Sequence, residues 1–250
     1  MASERFASPA RETLSPELRR YEPLLTRMQQ QMEAELVRRA SENRIDSYYP
    51  DEGPLRRELY PKHLEFFRAG IEHRERCFLA ANRVGKTEGV GGYELTCLTG
   101  EYPDWWAGRT FDHPIEAWAA GDTSQTVRDI IQAKLLGQIG AFGSGLIRKA
   151  LIVRTTSRQG IPDAVQDIYV KHKSGGTSSL TLKSYDQKRL SFQGTGKHVI
   201  WLDEEPDLGA YSECLLRTMT TNGLVMCTFT PMLGPSEVVM NYLPEGRMPL

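Results

Sequence analysis

The segment FLAANRVGKTEG, residues 78–89, ends in Gly85-Lys86-Thr87, the tail of a phosphate-binding loop. The usual form is G-x-x-x-x-G-K-[ST], and here Ala80 stands at the first glycine position. Such a loop holds phosphate because consecutive backbone N–H groups converge on it at the positive end of a helix. Residues Ala81, Asn82, Arg83, Val84, Gly85, Lys86 and Thr87 would form that cradle. Lys86 would reach the β- and γ-phosphates, and the Thr87 hydroxyl would hold Mg²⁺. Gly85 occupies the point of closest backbone approach. Ala80 occupies the strand exit, where alanine serves as long as φ stays negative.

A second group is VIWLDEEPD, residues 199–207, in which four apolar residues lead to Asp203 and Glu204. A carboxylate at a strand tip can hold the water shell of Mg²⁺, and a second beside it can polarise an attacking water. Alternation along a strand points Glu205 elsewhere. Taken alone, the same triplet reads equally as an acidic strand-to-loop turn. A third group is CTFTPM, residues 227–232. A threonine at that strand tip could sense the γ-phosphate; the plainer reading is a strand end before a proline turn.

These residues need elements to position them. ERCFLAAN reads as a buried strand entering the loop, and residues 87–100 as the helix that follows, although three glycines weaken it. EAWAAGD (116–122) predicts a second strand, and residues 123–139 a capped amphipathic helix. Residues 150–185 turn β-rich, with a hairpin around KSGGTS. HVIWLDEE and GLVMCTFTP return to continuous apolar strands of the kind buried on both faces. The alternation predicts a mainly parallel α/β sheet flanked by helices, with a small antiparallel insertion. Ahead of it, residues 15–43 predict a helix capped at Ser15, which Pro23 could split, then a polar linker at 43–54. The expected organisation is a helical segment and linker over 1–58 and one domain over 59–250.

Net charge is −1, which favours no particular partner, but the charge is unevenly spread. Residues 144–200 hold ten Lys/Arg against three Asp/Glu, and residues 201–250 hold two against seven. The basic block reads as an anionic-polymer surface or as ordinary solvated scatter. Four cysteines without a C-x-x-C pair read as free thiols in a reducing compartment. No apolar run approaches ~18 residues, and the N-terminus lacks an apolar signal core. A cytoplasmic protein is expected.

Read together, these motifs resemble the ATPase half of the large terminase subunit of tailed phages, a motor that packages DNA into empty capsids. The resemblance covers about residues 59–245. It is carried by YPKHLEFFRAG, ERCFLAANRVGKTEG, LTGEYPDWW, AAGDTSQTV, SYDQKRLSFQGTGKHVIWLDEEPD and MCTFTPMLGPSEVV. It implies a P-loop NTPase of the additional-strand, catalytic-glutamate type. Lys86 and Thr87 match the phosphate- and Mg²⁺-binding pair, Asp203 the metal carboxylate and Glu204 the catalytic one. Arg83 matches a loop arginine aimed at the γ-phosphate, and Thr228 and Thr230 fall in the motif coupling hydrolysis to DNA movement. Arg189 is the candidate arginine for a neighbour's site in a ring, with Arg128 second. Tyr60 would stack on the base, and His63 stands where the family often has a glutamine that reads adenine.

The resemblance further implies ATP and Mg²⁺ as ligands and sequence-independent binding of double-stranded DNA through its backbone. It also implies contacts with a portal protein and a small terminase subunit, a homo-oligomeric ring, and work in the host cell cytoplasm without a membrane. Full-length members continue into a nuclease domain; no carboxylate cluster for one follows the coupling motif here, so an ATPase-domain fragment is expected. The rival functions are a helicase-like nucleic-acid translocase, a P-loop small-molecule phosphotransferase and a non-catalytic nucleotide-binding module.

Overall fold

The computed structural model describes residues 21–187, 189–232, 234 and 236–243. It forms two compact units, Met1–Ala40 and Ser41–Leu250. Helix α1 (Glu22–Glu42) realises the expected N-terminal helix; the proposed cap at Ser15 lies outside the described residues. Pro23 sits in its first turn, where a missing N–H goes unmissed; the expected helix ahead of Tyr21 lies outside the described residues. Leu24, Leu25, Met28 and Met32 are exposed along it.

The larger unit begins before the expected domain start at residue 59. Within the expected linker, Ile45, Tyr48 and Tyr49 pack against its core, with Tyr49 as the buried anchor. Its ring is 2% exposed and meets Tyr60, Phe67, Tyr93 and Trp105 edge-on. Tyr49 takes φ +55°, and its carbonyl accepts from Arg57 Nη1 at 2.9 Å.

Helix α2 (Pro61–Ala69) precedes strand β1 (Glu75–Leu79). A helical stretch, α3 (86–99), follows the loop. Strand β2 (Glu116–Gly121) leads to α4 (124–136). Then come β3 (Ile152–Ser157), β4 (Val165–Lys171), β5 (Thr177–Ser184) and β6 (Val199–Asp203). Helix α5 (Leu208–Met219), β7 (Leu224–Phe229) and α6 (Glu237–Tyr242) complete the order.

The seven strands form one sheet in the order β1-β7-β6-β2-β5-β4-β3. Pairings from β1 through β5 are parallel, and β5-β4-β3 are antiparallel. The antiparallel strands therefore extend the main sheet at one edge. Strand β7 lies between β1 and β6, which is the additional strand expected between the loop and the acidic pair. Alternate residues of the central strands face opposite layers. Ala119, Trp201 and Met226 pack with Val90, Leu95 and Leu135, whereas Trp118, Leu202 and Cys227 pack with Tyr211, Cys214 and Val239.

Helix α4 is capped as its sequence predicts: Thr123 Oγ1 accepts from Thr126 N at 3.1 Å, and Thr126 Oγ1 accepts from Thr123 N at 3.0 Å. It ends at Leu136, short of the expected 139, because Gly137 takes φ +98° and turns the chain away. The glycines of α3 have a packing reason. A Cβ on Gly91 would lie 2.1 Å from Trp201 Nε1, so only glycine lets this helix settle on the sheet. All four cysteines are free thiols, and Cys97, Cys214 and Cys227 are buried. No helix among the described residues is long and apolar enough to cross a membrane.

Candidate nucleotide site

The loop leaves β1 at Leu79 and passes through Ala80–Gly85 into α3. Ala80 N donates to Phe229 O at 3.4 Å, which ties the strand exit to the tip of β7. Positive φ occurs at Arg83 (+67°) and Gly85 (+85°), and not at Ala80, so alanine meets no backbone penalty at the first position. Gly85 O receives both Gly89 N (2.8 Å) and Val90 N (3.1 Å), which widens the first turn of α3. Glu88, next to Thr87, is held by Arg44 and, at 2.6 Å, by Lys134.

Lys86 is 7% exposed. Its Nζ donates to Ala81 O (2.8 Å), Ala80 O (3.1 Å) and Thr230 Oγ1 (2.7 Å). Burial lowers its pKa, against the charges of Glu204 and Asp203. Thr230 Oγ1 also lies 2.8 Å from Ala80 O and 3.0 Å from Asn82 Oδ1, so this threonine belongs to the wall of the loop.

Strand register brings the acids to the same end of the sheet. Asp203 pairs with Thr228, and Thr228 with Phe78 of β1. Asp203 Oδ1 accepts from Thr228 Oγ1 (2.7 Å) and Thr87 Oγ1 (3.2 Å). Thr228 is fully buried and accepts from Trp201 Nε1 at 2.7 Å. It therefore faces Asp203 and not the outside, unlike a residue that touches phosphate directly. Burial pushes the Asp203 carboxyl up to about 7; the Thr228 and Thr87 hydroxyls and Lys86 oppose this, and Glu204 reinforces it.

Glu204 is exposed and takes φ +64°, a conformation costly for a non-glycine residue. Its N–H donates to Thr228 O at 3.2 Å. The Tyr185 hydroxyl reaches the carbonyls of both Asp203 and Glu204 at 3.1 Å. This tyrosine, just past β5, was not singled out by sequence. Its place in SYDQKRLSFQG, two strands from Glu204, gives no local sign of the contact.

Arg189 opens the short turn Arg189–Phe192 between β5 and β6. Arg128 is committed to Asp129 Oδ1 (2.7 Å) and Pro162 O (3.1 Å). The basic block is not uniformly free: Lys183 lies 4.4 Å from the Trp118 ring centre and Lys197 binds Glu116, whereas Lys149, Lys171 and Lys173 are exposed.

Beside the loop opens a cavity of about 260 Å³, lined by Arg83, Val84, Gly85 and Gly89 on one wall and Tyr60 and His63 on another. His63 is buried, with Nε2 3.1 Å from Val84 O and Nδ1 2.8 Å from the Tyr49 hydroxyl. That hydroxyl also reaches Gly89 O at 2.6 Å. Burial lowers the His63 pKa, against the Val84 carbonyl. His63 thus braces loop and helix from beneath, a role its place in the sequence did not reveal.

The parallel core, the interposed strand and the loop define a phosphate-loop α/β protein of the additional-strand class. Residues 77–246 match the family described as "Terminase large subunit, T4likevirus-type, N-terminal", and the chain belongs to that family. The large terminase subunit of Salmonella phage P22 is 35% identical over 205 residues, covering 74% of this chain and 41% of the relative. The chain thus spans about two fifths of that relative's length. Two solved structures are also similar. A large terminase from a thermophilic bacteriophage, in complex with ADP, has TM-score 0.45 and 16% identity over 67% of this chain and 37% of its own. The large terminase ATPase domain of Thermus phage P74-26 has TM-score 0.44 and 14% identity over 70% of this chain and 69% of its own.

Proposed function

We propose that this chain hydrolyses ATP as the motor domain of a phage large terminase, moving double-stranded DNA into a procapsid. The observation that carries the reading is the convergence of Lys86, Thr87, Asp203 and Thr230 at one end of the sheet. The loop backbone would cradle the phosphates, with Lys86 exchanging its carbonyl partners for phosphate oxygens. Thr87 and Asp203 present the hard oxygen donors that suit Mg²⁺, and, lying in direct contact, both would hold one small ion. The ion would neutralise charge on the phosphate oxygens.

Glu204 would orient the attacking water, and Arg83 would meet charge on the transferring phosphoryl. Backbone strain at Glu204, held by Thr228 O and Tyr185, would fix the direction of that carboxylate. Thr230, bonded to Lys86, would pass the state of the phosphates to the chain beyond β7, and Thr228 would act through Asp203. Tyr60 and His63 would bound the base. Arg189 of a neighbouring subunit in a ring would complete the site. An added arginine can be worth ~10³–10⁵ in rate, so an isolated subunit should be slow.

DNA would be held through its phosphates, with Lys149, Lys171 and Lys173 as the exposed cations of the basic block. A portal protein and a small terminase subunit would be the packaging partners, in the host cytoplasm. The test is Mg²⁺-dependent phosphate release from ATP by the chain, alone and with double-stranded DNA, beside Lys86→Ala. The proposal expects release by the wild type and loss of at least ~10²-fold in the variant; equal release by both would reject it.

A further inference from the structure

We infer that His63 is a positioning residue for phosphate binding: by holding the Val84 carbonyl, it keeps the Gly85 N–H turned into the phosphate cradle. This rests on the nucleotide-hydrolase reading above and names a further residue on which that site depends.

The Val84–Gly85 peptide is the unit of the loop whose direction the local sterics leave open. Gly85 takes φ +85°. Rotating that peptide by about half a turn would bring φ to a negative value, which glycine adopts as readily. On the other side of the peptide Val84 has a negative φ, for which both the α and the β regions are allowed. The rotation would exchange the directions of Val84 C=O and Gly85 N–H, because the two point opposite ways in a planar trans unit. One orientation offers a donor to an anion in the loop. The other offers a carbonyl oxygen, which repels phosphate.

His63 makes the choice. Its Nε2 lies 3.1 Å from Val84 O. A carbonyl only accepts, so Nε2 carries the proton of that bond. With the oxygen held there, the Gly85 N–H points away from the imidazole. The ring packs directly on this backbone: a Cβ on Gly85 would lie 3.2 Å from His63 Cε1.

The donor is itself fixed. His63 belongs to α2 and is 5% exposed. Phe78 of β1 meets its ring edge-on with centres 5.2 Å apart, and the Tyr60 ring lies at the same distance. Its Nδ1 is 2.8 Å from the Tyr49 hydroxyl, which also lies 2.6 Å from Gly89 O. With a neutral ring, the single hydroxyl proton serves one of these two acceptors at a time. Given to Nδ1, it selects the tautomer that keeps the proton on Nε2. The Val84 bond needs the Nε2 proton alone. Support thus runs from α2 and β1 through the imidazole to one backbone amide of the loop.

Tripolyphosphate separates this role from contact with a base, because it carries phosphates and no base. The experiment measures dissociation constants of Mg·ATP and Mg·tripolyphosphate by displacement of fluorescent ADP, for the wild-type chain, His63→Met and His63→Gln. Methionine and glutamine fill similar space, and only glutamine brings an N–H donor. Loss of the donor should weaken tripolyphosphate by about tenfold in His63→Met. His63→Gln should bind it more tightly than His63→Met does. A change below about threefold in His63→Met, even with ATP weakened, would overturn the inference and leave the hydrolase reading intact. Equal loss in the two variants would overturn it as well, because the effect would then belong to the packing of the ring. So would a wild type that binds ATP and not tripolyphosphate. A wild type that binds neither would overturn both readings.

Discussion

Thr87 and Asp203 stand 116 positions apart, and the hydroxyl of one donates to the carboxylate of the other at 3.2 Å. That contact joins the helix after the phosphate loop to the tip of β6, with β7 between the two strands. On the proposed reading it would offer a metal ion two oxygen ligands, which makes Asp203 the acid to test first.

Asp203 should couple stability and metal binding to pH. Its pKa is raised from 3.8 to about 7, chiefly by burial. A raised acid favours the folded state fully below its unfolded value, and that contribution is lost as pH rises through the folded value. At about 1.4 kcal/mol per pH unit, metal-free Asp203→Asn should exceed wild type by roughly 2–4 kcal/mol at pH 8. Denaturant titrations should show the gap closing towards pH 4; a constant gap would contradict the assignment. Because a metal needs the carboxylate, Mg²⁺ affinity of the wild type should weaken about tenfold per pH unit below 7.

Thr228→Val keeps the shape and removes the hydroxyl between Trp201 and Asp203. The indole N–H, in a fully buried ring, would lose its acceptor, at a cost of about 1–3 kcal/mol. Asp203 would lose the donor that orients it, and Mg²⁺ affinity should fall about 10–100-fold. Measuring both effects matters: lost stability with unchanged Mg²⁺ affinity would reduce Thr228 to a core residue.

Gly91→Ala should lower Tm by on the order of 5 °C. The added methyl would meet the Trp201 indole at 2.1 Å, and neither partner is a flexible chain end. Displacement of the ring should also change Trp fluorescence. A variant with native Tm and spectrum would refute the close approach of α3 to β6.

The loop and the acidic pair were legible in the sequence because each is contiguous: a strand, a few specialised residues and a helix or turn. The mainly parallel sheet was legible in runs of apolar residues buried on both faces. What local reading missed comes from contacts between distant segments. Tyr49 lies in a stretch rich in turn formers, and only its packing against Tyr93 and Trp105 makes that stretch part of the core. Glycines that weaken α3 on propensity are required once Trp201 lies beneath it. Thr228 reads as a strand tip, and strand register turns it inward to Asp203.

The central claim is that the acidic pair acts on a nucleotide held by the loop, and Glu204 tests it most directly. Its exposed side chain holds no fold together, so Glu204→Ala should leave the structure and ATP affinity within about threefold of wild type. Single-turnover hydrolysis of Mg·ATP, measured beside equilibrium nucleotide binding, should fall by about 10²–10⁴-fold. Hydrolysis at the wild-type rate by a variant that binds ATP normally would contradict the account.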